Sequence, residues 1–153
     1  MARDVVFESK NNQISLNVIA PQFSIAPAAK SGKAIKSNLE VVECWGTGKA
    51  SREFIYVKDA AEGIILATKN YNSSEPLNLG SSDEISVKDI TEKIAKTMGF
   101  KGKILWDLSK PEGQLRRCLD NSNAQKLLHF YPKINFDDGI KETLNWFYKN
   151  NGQ

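Results

Sequence analysis

The stretch VVECWGTGKASREFIYVKD, residues 41–59, organises our prediction of the fold. Its first five residues, Val41–Trp45, have the β-branched and aromatic bias of a strand. Gly46 and Gly48 follow at once, and both can adopt the positive φ that most residues avoid. We therefore expect a strand that ends in a tight, glycine-containing turn.

The second half of the same stretch resumes an apolar pattern after the turn. Residues 54–57, FIYV, are predicted as a second strand, and Lys49 and Arg52 are expected on the exposed loop between the two strands. An apolar, alanine-rich pattern begins at Asp59 and predicts a helix. The stretch thus predicts strand, turn, strand and helix in succession.

The turn partly matches the glycine-rich fingerprint of dinucleotide-binding proteins. Residues 46–51, GTGKAS, supply two glycines of that GxGxxG pattern but not the third. A dinucleotide site also needs a helix right after the turn, because the pyrophosphate sits on the helix N-terminus. Residues 53–57, EFIYV, have a strand pattern instead. We therefore predict that this turn is not an NAD site.

Short strands alternate with longer helices along the rest of the chain. Strands of about four residues and helices of about twelve are typical of α/β proteins with at least partly parallel strands. We predict an α/β fold with a small mixed, partly parallel sheet flanked by helices. Further strands are predicted at 77–80 and 103–106, an extended piece at 117–120, and helices at 21–36, 59–69, 86–98, 122–128 and 137–149.

Local signals mark two of these boundaries. Ser86 and Asp89 form a capping-box-like pattern at the start of the helix at 86–98, and Gly99 is expected to end that helix in a left-handed conformation. Residues 1–16 show no sustained period and predict a short strand or a loosely held arm.

Composition and charge exclude several classes of protein. With 41% hydrophobic and 25% charged residues, the chain is typical of a folded domain. Its formal net charge of +3 is small and spread out, which argues against a nucleic-acid partner. No apolar run approaches the roughly 20 residues of a membrane span, so no membrane association is predicted. Cys44 and Cys118 have no CxxC spacing, which predicts reduced thiols in a cytoplasmic protein.

Trp45 and Arg52 flank the glycine turn and suggest a nucleotide ligand. An indole ring offers a stacking face, and a guanidinium offers two parallel donors to phosphate oxygens. A second interpretation is structural: the tryptophan belongs to the core and the arginine is solvated. The stretch by itself leaves both interpretations open.

Two longer runs resemble a known family. WGTGKASREFIYVKDAAEGI (residues 45–64) and PLNLGSSDEISVKDITEKIAKTMGFKGKILWDLSKPEGQLRRCLD (residues 76–120) resemble the C-terminal half of GDP-L-fucose synthase. That enzyme is an extended short-chain dehydrogenase/reductase acting on nucleotide sugars. The resemblance covers residues 17–150, and the SKPEG segment followed by two arginines points to the fucose synthase branch.

The resemblance implies a domain division and an expectation about catalysis. Residues 17–150 would be the substrate-binding domain of a nucleotide-sugar epimerase/reductase, after an arm or strand at 1–16 and before a tail at 151–153. The family's GxxGxxG turn does not occur here. Its Tyr-x-x-x-Lys pair is also missing, because no tyrosine has a lysine four positions later. We therefore expect no cofactor in this chain, where the full-length family uses NADP or NAD. On its own the chain is expected to be inactive.

The resemblance also implies a set of ligand-contacting residues. Arg52 and a basic residue of the pair Arg116 and Arg117 would contact the substrate diphosphate, Trp45 would line the sugar or base pocket, and Lys110 is a further candidate. Where the family commonly has Pro-Arg-Lys, this chain has Leu-Arg-Arg ending at Arg117. For each cation the alternative is a solvated surface charge. No catalytic residue and no metal site are predicted.

Three functions remain in competition at this point. The first is binding of a nucleotide-diphosphate sugar, with a GDP-sugar favoured. The second is a non-catalytic interaction or structural domain, for example a homodimer, that associates through an apolar face which the family's other half would cover. The third is a subunit of a split enzyme that associates with a separately encoded N-terminal half.

Overall fold

The computed structural model describes the backbone of residues 3–8, 13–18 and 40–151 and the side chains of residues 40–150. The predicted helix at 21–36 and the end of the predicted tail lie outside these residues. In chain order the described elements are β1 (Arg3–Glu8), β2 (Gln13–Val18), β3 (Val41–Trp45), β4 (Ser51–Glu53), α1 (Val57–Asn70), β5 (Leu77–Leu79), β6 (Glu84–Ser86), α2 (Val87–Thr97), β7 (Lys103–Asp107), β8 (Arg116–Arg117), α3 (Ser122–Leu128) and α4 (Phe136–Asn151).

The chain divides into two compact units, and each is built from separate segments. The first unit comprises Met1–Ala20, Glu53–Glu84 and Cys118–Phe136. The second comprises Pro21–Arg52, Ile85–Arg117 and Asp137–Gln153. Residues distant in the sequence are therefore neighbours within each unit.

A three-stranded sheet with α1 and α3 forms the first unit. Its strand order is β1-β2-β5, with β1 antiparallel to β2 and β2 parallel to β5. Leu77 and Leu79 of β5 are fully buried. The apolar cluster around them comprises Ile55, Ala60, Ala67, Leu77, Leu79, Ala124, Leu128 and Phe130. The helices and the sheet therefore share one core, which hydrophobic burial stabilises.

A buried polar network lies at the end of β5. Glu53 is only 1% exposed, and its two carboxylate oxygens accept hydrogen bonds from the backbone N–H groups of Ser82 (2.9 Å) and Leu119 (2.7 Å). The Ser82 hydroxyl donates to the side chain of Asn121 at 2.7 Å, and the Asn121 amide donates to the Gly80 carbonyl at 2.9 Å. These bonds satisfy polar groups that would be costly to bury unpaired.

The second unit is built on a parallel pair of strands, β3 and β7. The register places Val42 opposite Ile104 and Trp45 opposite Asp107. Side chains of β3 alternate between exposed and buried, as expected for a strand with one covered face. Val42 and Cys44 form the buried side with Phe100, Ile104 and Trp106.

Helix α2 begins and ends as its sequence predicts. The Ser86 hydroxyl oxygen accepts a hydrogen bond from the Asp89 N–H at 3.0 Å, so Ser86 is a true N-cap. The next residues bury Ile90 and Ile94 on one face. Gly99 has φ +74°, the left-handed conformation expected after a helix. In the same unit, Lys93 of α2 forms an ion pair with Asp137 of α4.

A third small sheet has the order β6-β4-β8, and β4 runs parallel to β8. Two expectations were wrong here. Residues 54–57 are not a strand, because β8 is only two residues long and offers no partner beyond β4, so the chain stays extended to Tyr56 and then enters α1. Arg52 does not lie on an exposed loop; it is a half-buried residue of β4.

The predicted fold class is confirmed. The described residues form small parallel and antiparallel sheets packed with four helices, a mixed α/β arrangement. The strands are distributed over three small sheets. Helix α3 has the predicted bounds, and Cys44 of β3 is buried.

Candidate functional site

The loop after β7 organises one end of the second unit. We call residues 107–113 the clasp loop. At its start, the Asp107 carboxylate accepts hydrogen bonds from the Ser109 N–H (2.9 Å) and hydroxyl (2.6 Å). The Asp107 carbonyl accepts from the N–H groups of Gly46 (2.9 Å) and Lys110 (3.3 Å). The start of the loop is therefore tied both to itself and to the glycine turn after β3.

The far end of the clasp loop is tied to the same turn. One carboxylate oxygen of Glu112 accepts hydrogen bonds from the Thr47 hydroxyl (2.5 Å) and the Thr47 N–H (3.3 Å). A Cβ added to Gly46 would lie 3.4 Å from the Cβ and Cγ of Glu112, so the Glu112 side chain packs against the turn. Gly46 has φ +75°, as predicted for the residue that ends the strand.

Trp45 lies beside the clasp loop at the end of β3. It is 59% exposed, so the structural interpretation of Trp45 as a core residue is wrong. The Lys110 ammonium lies 6.0 Å from the centre of its ring, at the outer limit of a cation–π contact. A flat aromatic face and a positive charge thus stand next to each other at the surface.

Arg52 approaches the clasp loop from β4. One guanidinium nitrogen donates to the carbonyl of Ser51 at 2.5 Å. The other terminal nitrogen lies 3.5 Å from where a Cβ on Gly113 would be, so the guanidinium reaches the end of the loop. The clasp loop therefore contacts Arg52 at one end and carries Lys110 over Trp45 in its middle.

The two remaining arginines lie on opposite faces of β8. Arg117 is the direct partner of Arg52 across the parallel pair, and Arg116 is the partner of Ser51. Paired residues in neighbouring strands point to the same face, and successive residues alternate. Arg117, half-buried, therefore shares a face with Arg52, whereas Arg116 points to the other face and is exposed.

The structure brings four of the five candidate residues to one region of the second unit. Trp45, Lys110 and Arg52 surround the clasp loop, Arg117 adjoins Arg52, and Arg116 is directed elsewhere. The arrangement offers an aromatic face and three cations, which suits a ligand that combines a flat ring with an anion.

Asn78, Gly80 and His129 also stand out in the sequence, and each has a structural role in the first unit. The Asn78 amide donates to the Asp120 carbonyl at 2.9 Å, and a Cβ on Gly80 would collide with the Glu53 carboxylate, so both residues shape the first unit. His129 ends α3 with φ +51°.

The described residues contain no cluster of His, Cys, Asp and Glu that could hold a metal ion. None of the described helices combines the length and the apolar character that a membrane span requires.

Sequence reasoning missed the acidic residues that hold this region together. Glu112 lies in the SKPEG segment and Asp107 just before it, but only Lys110 of that segment was predicted to contact a ligand. Glu112 and Thr47 are 65 residues apart, so no local pattern could have paired them. The available signal was the coincidence of two glycine-containing loops following two strands.

Comparison with known proteins identifies the family. Residues 14–80 match the NAD dependent epimerase/dehydratase family. The chain is 37% identical over 118 residues to a probable GDP-L-fucose synthase 1 from Oryza sativa subsp. japonica, a match covering 77% of this chain and 36% of that protein. Residues 14–80 therefore form a domain of this family. The resemblance to GDP-L-fucose synthase is thereby confirmed, and the chain spans about a third of the length of this relative.

Solved structures of epimerase family members agree with this assignment. A GDP-L-fucose synthetase from Naegleria fowleri bound to NADP superposes with a TM-score of 0.79 and 30% identity over 85% of this chain and 41% of that one. A GDP-mannoheptose C4 reductase from Campylobacter jejuni with NADP bound gives 0.69 and 28%, over 84% and 45% of the two chains. The epimerase family is thus NAD(P)-dependent, and these members carry the fold.

The glycine turn of this epimerase family domain does not fit a dinucleotide cofactor. Strand β4 follows the turn where a dinucleotide site requires a helix N-terminus. A Cβ on Gly48 would lie 2.8 Å from the Trp106 ring, so the second glycine faces a side chain and leaves no open cradle there. Residues 46–51 therefore supply no pyrophosphate site.

Proposed function

We propose that this chain is the nucleotide-sugar-binding part of a GDP-L-fucose synthase-like epimerase/reductase. The ligand would be a GDP-sugar, with its diphosphate held by Arg52 and Arg117 and a ring packed on Trp45. Lys110 would supply a third positive charge beside that ring. The substrate-binding domain would comprise residues 17–150, between the N-terminal strand or arm and the short tail.

The pairing of Arg52 with Arg117 is the observation that carries this proposal. The two residues are direct partners across β4 and β8 and share a face. Adjacent strands are about 5 Å apart, and like charges directly opposite each other are destabilising. An anion between the two guanidiniums would offset that repulsion, and a diphosphate offers enough oxygens to accept from both.

Several relatives favour GDP as the nucleotide. The rice, Naegleria and Campylobacter proteins all carry GDP in their names. Within the described residues, the side chains that suit a nucleotide diphosphate gather in the second unit, at Trp45 and the clasp loop. We therefore rank GDP-sugars above UDP-sugars as ligands.

Hydride transfer is not part of the proposed activity of this chain. The Tyr-x-x-x-Lys pair does not occur in the sequence, and the glycine turn does not fit a dinucleotide. The chain would bind a nucleotide sugar without converting it. A cytoplasmic location would agree with this role.

Isothermal titration calorimetry of the 153-residue chain tests the proposal. We expect GDP-mannose and GDP-fucose to bind, UDP-sugars to bind more weakly, and added salt to weaken every interaction, because the contacts are between charges. An Arg52→Ala variant with an unchanged circular dichroism spectrum should lose most of the affinity. No binding of any nucleotide sugar by a folded chain would contradict the proposal.

Exposed apolar side chains support a second candidate, an interaction domain. Parallel strands are usually covered on both faces, yet Val41 and Leu105 on the outer face of β3 and β7 are exposed. Leu108 and Leu115 are also exposed, at 71% and 69%. Light scattering during size-exclusion chromatography separates the two candidate functions. A dimer supports interaction through these apolar side chains, and a strict monomer argues against it.

A further inference from the structure

We infer that Glu112 is a positioning residue for the GDP-sugar ligand, a role that rests on the function proposed above. Its carboxylate would act by fixing the clasp loop onto the glycine turn, without contacting the ligand. The two hydrogen bonds from Thr47 to a single oxygen of Glu112 define this connection.

The connection links the two halves of the candidate site. Glu112 is the nearest neighbour of a Cβ added at Gly46, the residue after Trp45. The residue after Glu112 is Gly113, which lies against the Arg52 guanidinium. Two positions before Glu112 is Lys110, which lies over the Trp45 ring. Fixing Glu112 therefore fixes the spacing between the aromatic face and the guanidinium.

The start of the clasp loop is held independently of Glu112. Asp107 binds Ser109 through its side chain, and its carbonyl accepts from the Gly46 N–H. Loss of the Glu112 bonds should therefore release the far end of the loop and leave its root in place. We therefore expect the unit to stay folded and its affinity for the ligand to fall, because a site that is no longer preorganised must be ordered when the ligand binds.

The charge of Glu112 makes the inference sharply testable. A carboxylate near a diphosphate repels it, so a residue acting only through its charge would weaken binding, and its removal would improve affinity. Removal of a positioning residue should instead weaken binding. Gln at this position keeps an oxygen that can accept from Thr47 but carries no charge.

Calorimetric titration of GDP-mannose into the 153-residue chain and its variants distinguishes these roles. We expect Glu112→Ala and Thr47→Val each to weaken binding about three- to tenfold, the range expected for loss of one net hydrogen bond. Glu112→Ala removes both bonds, whereas Thr47→Val removes only the bond from the hydroxyl. The double variant should therefore bind no more weakly than Glu112→Ala. Glu112→Gln should stay within about twofold of the unmodified chain.

A matched control and a ligand-independent measurement complete the test. Glu92→Ala removes an exposed carboxylate of α2 in the same unit, and it should leave the affinity unchanged. Hydrogen exchange of the Thr47 amide in the ligand-free chain should accelerate in Glu112→Ala and stay slow in Glu112→Gln.

The outcomes separate this inference from the proposed function. Failure of the unmodified chain to bind any GDP-sugar would refute the proposed function and this role with it. Binding by the unmodified chain together with equal or tighter binding by Glu112→Ala would overturn the positioning role alone. Equal losses in Glu112→Ala and Glu112→Gln would also overturn it, since the affinity would then not depend on the acceptor oxygen that Gln retains.

Discussion

The buried carboxylate of Glu53 accepts a hydrogen bond from the backbone N–H of Leu119 at 2.7 Å, across 66 residues of chain. Its other oxygen accepts from the Ser82 N–H at 2.9 Å. Glu53→Ala should therefore remove the shared acceptor of these two N–H groups and lower the free energy of unfolding by about 2–5 kcal/mol, because both hydrogen bonds are made to a charged group. Urea denaturation followed by circular dichroism measures this loss.

Two further variants define the role of Glu53. Glu53→Gln retains one acceptor oxygen and should cost less than Glu53→Ala. Glu75→Ala removes an exposed side chain from the same unit and should change stability by less than about 0.5 kcal/mol. Equal effects of Glu53→Ala and Glu75→Ala would contradict the network.

Gly48 and Gly99 share a positive φ but differ in the space around them. A Cβ on Gly48 (φ +71°) would lie 2.8 Å from the Trp106 ring, whereas a Cβ on Gly99 (φ +74°) would meet nothing within 4 Å. Each change to alanine should cost about 1–2 kcal/mol for the left-handed backbone. Gly48→Ala should cost about 1–3 kcal/mol more because it also crowds the core. Thermal unfolding of both variants checks this difference; identical losses would mean that the ring moves aside freely.

The arginines of β4 and β8 should differ in their effect on ligand binding. Arg52→Ala and Arg117→Ala should each weaken GDP-mannose binding by about 1.5–3 kcal/mol, the range for hydrogen bonds to charged groups. Arg116→Ala is the matched control, because it removes the same charge from the opposite face of the same strand. Its effect should be at least about fivefold smaller in Kd, as measured by calorimetry. Three equal losses would indicate a diffuse electrostatic effect.

Asp120 should make stability depend on pH in the acid range. A hydrogen bond from the Ser122 backbone N–H, with a second from its hydroxyl, lowers the pKa of Asp120 below its ordinary value of 3.8. A lowered pKa means that the ionised form stabilises the fold. This stabilisation is complete above the unfolded pKa and is lost as the pH falls through the folded pKa.

Comparison with Asp120→Asn isolates this contribution. The unmodified chain should be more stable than the variant at about pH 6, and the gap should narrow as the pH falls from about 5 to about 2. Urea denaturation at a series of pH values measures it. A gap that is constant over that range would contradict the assignment.

The sequence was sufficient to locate most elements, because their signals are local. The Ser86 cap, the left-handed Gly99 and the bounds of α3 each depend on residues within one or two turns of the helix. The prediction of a strand at residues 54–57 was wrong because strand formation also depends on residues distant in the sequence. The apolar pattern of residues 54–57 is suitable for a strand, but a strand also needs a partner, and β8 ends too soon to provide one.

The candidate site was predicted only in part. Trp45 and Arg52 were identified from the glycine turn, and Arg117 and Lys110 from the family resemblance. Which of Arg116 and Arg117 faces Arg52 could not be predicted, because the answer depends on the register between β4 and β8. A shift of one residue would exchange the two faces.

The sequence by itself determined the family, the α/β class and the positions where the backbone must turn, since these follow from local residue preferences and from similarity along the chain. Only the tertiary structure decided that Glu112 binds Thr47, that Arg52 pairs with Arg117 and that the buried Glu53 accepts hydrogen bonds from Ser82 and Leu119. Each of these contacts joins residues distant in the sequence. Such contacts form only when packing of the whole unit brings them together, and no local propensity encodes that packing.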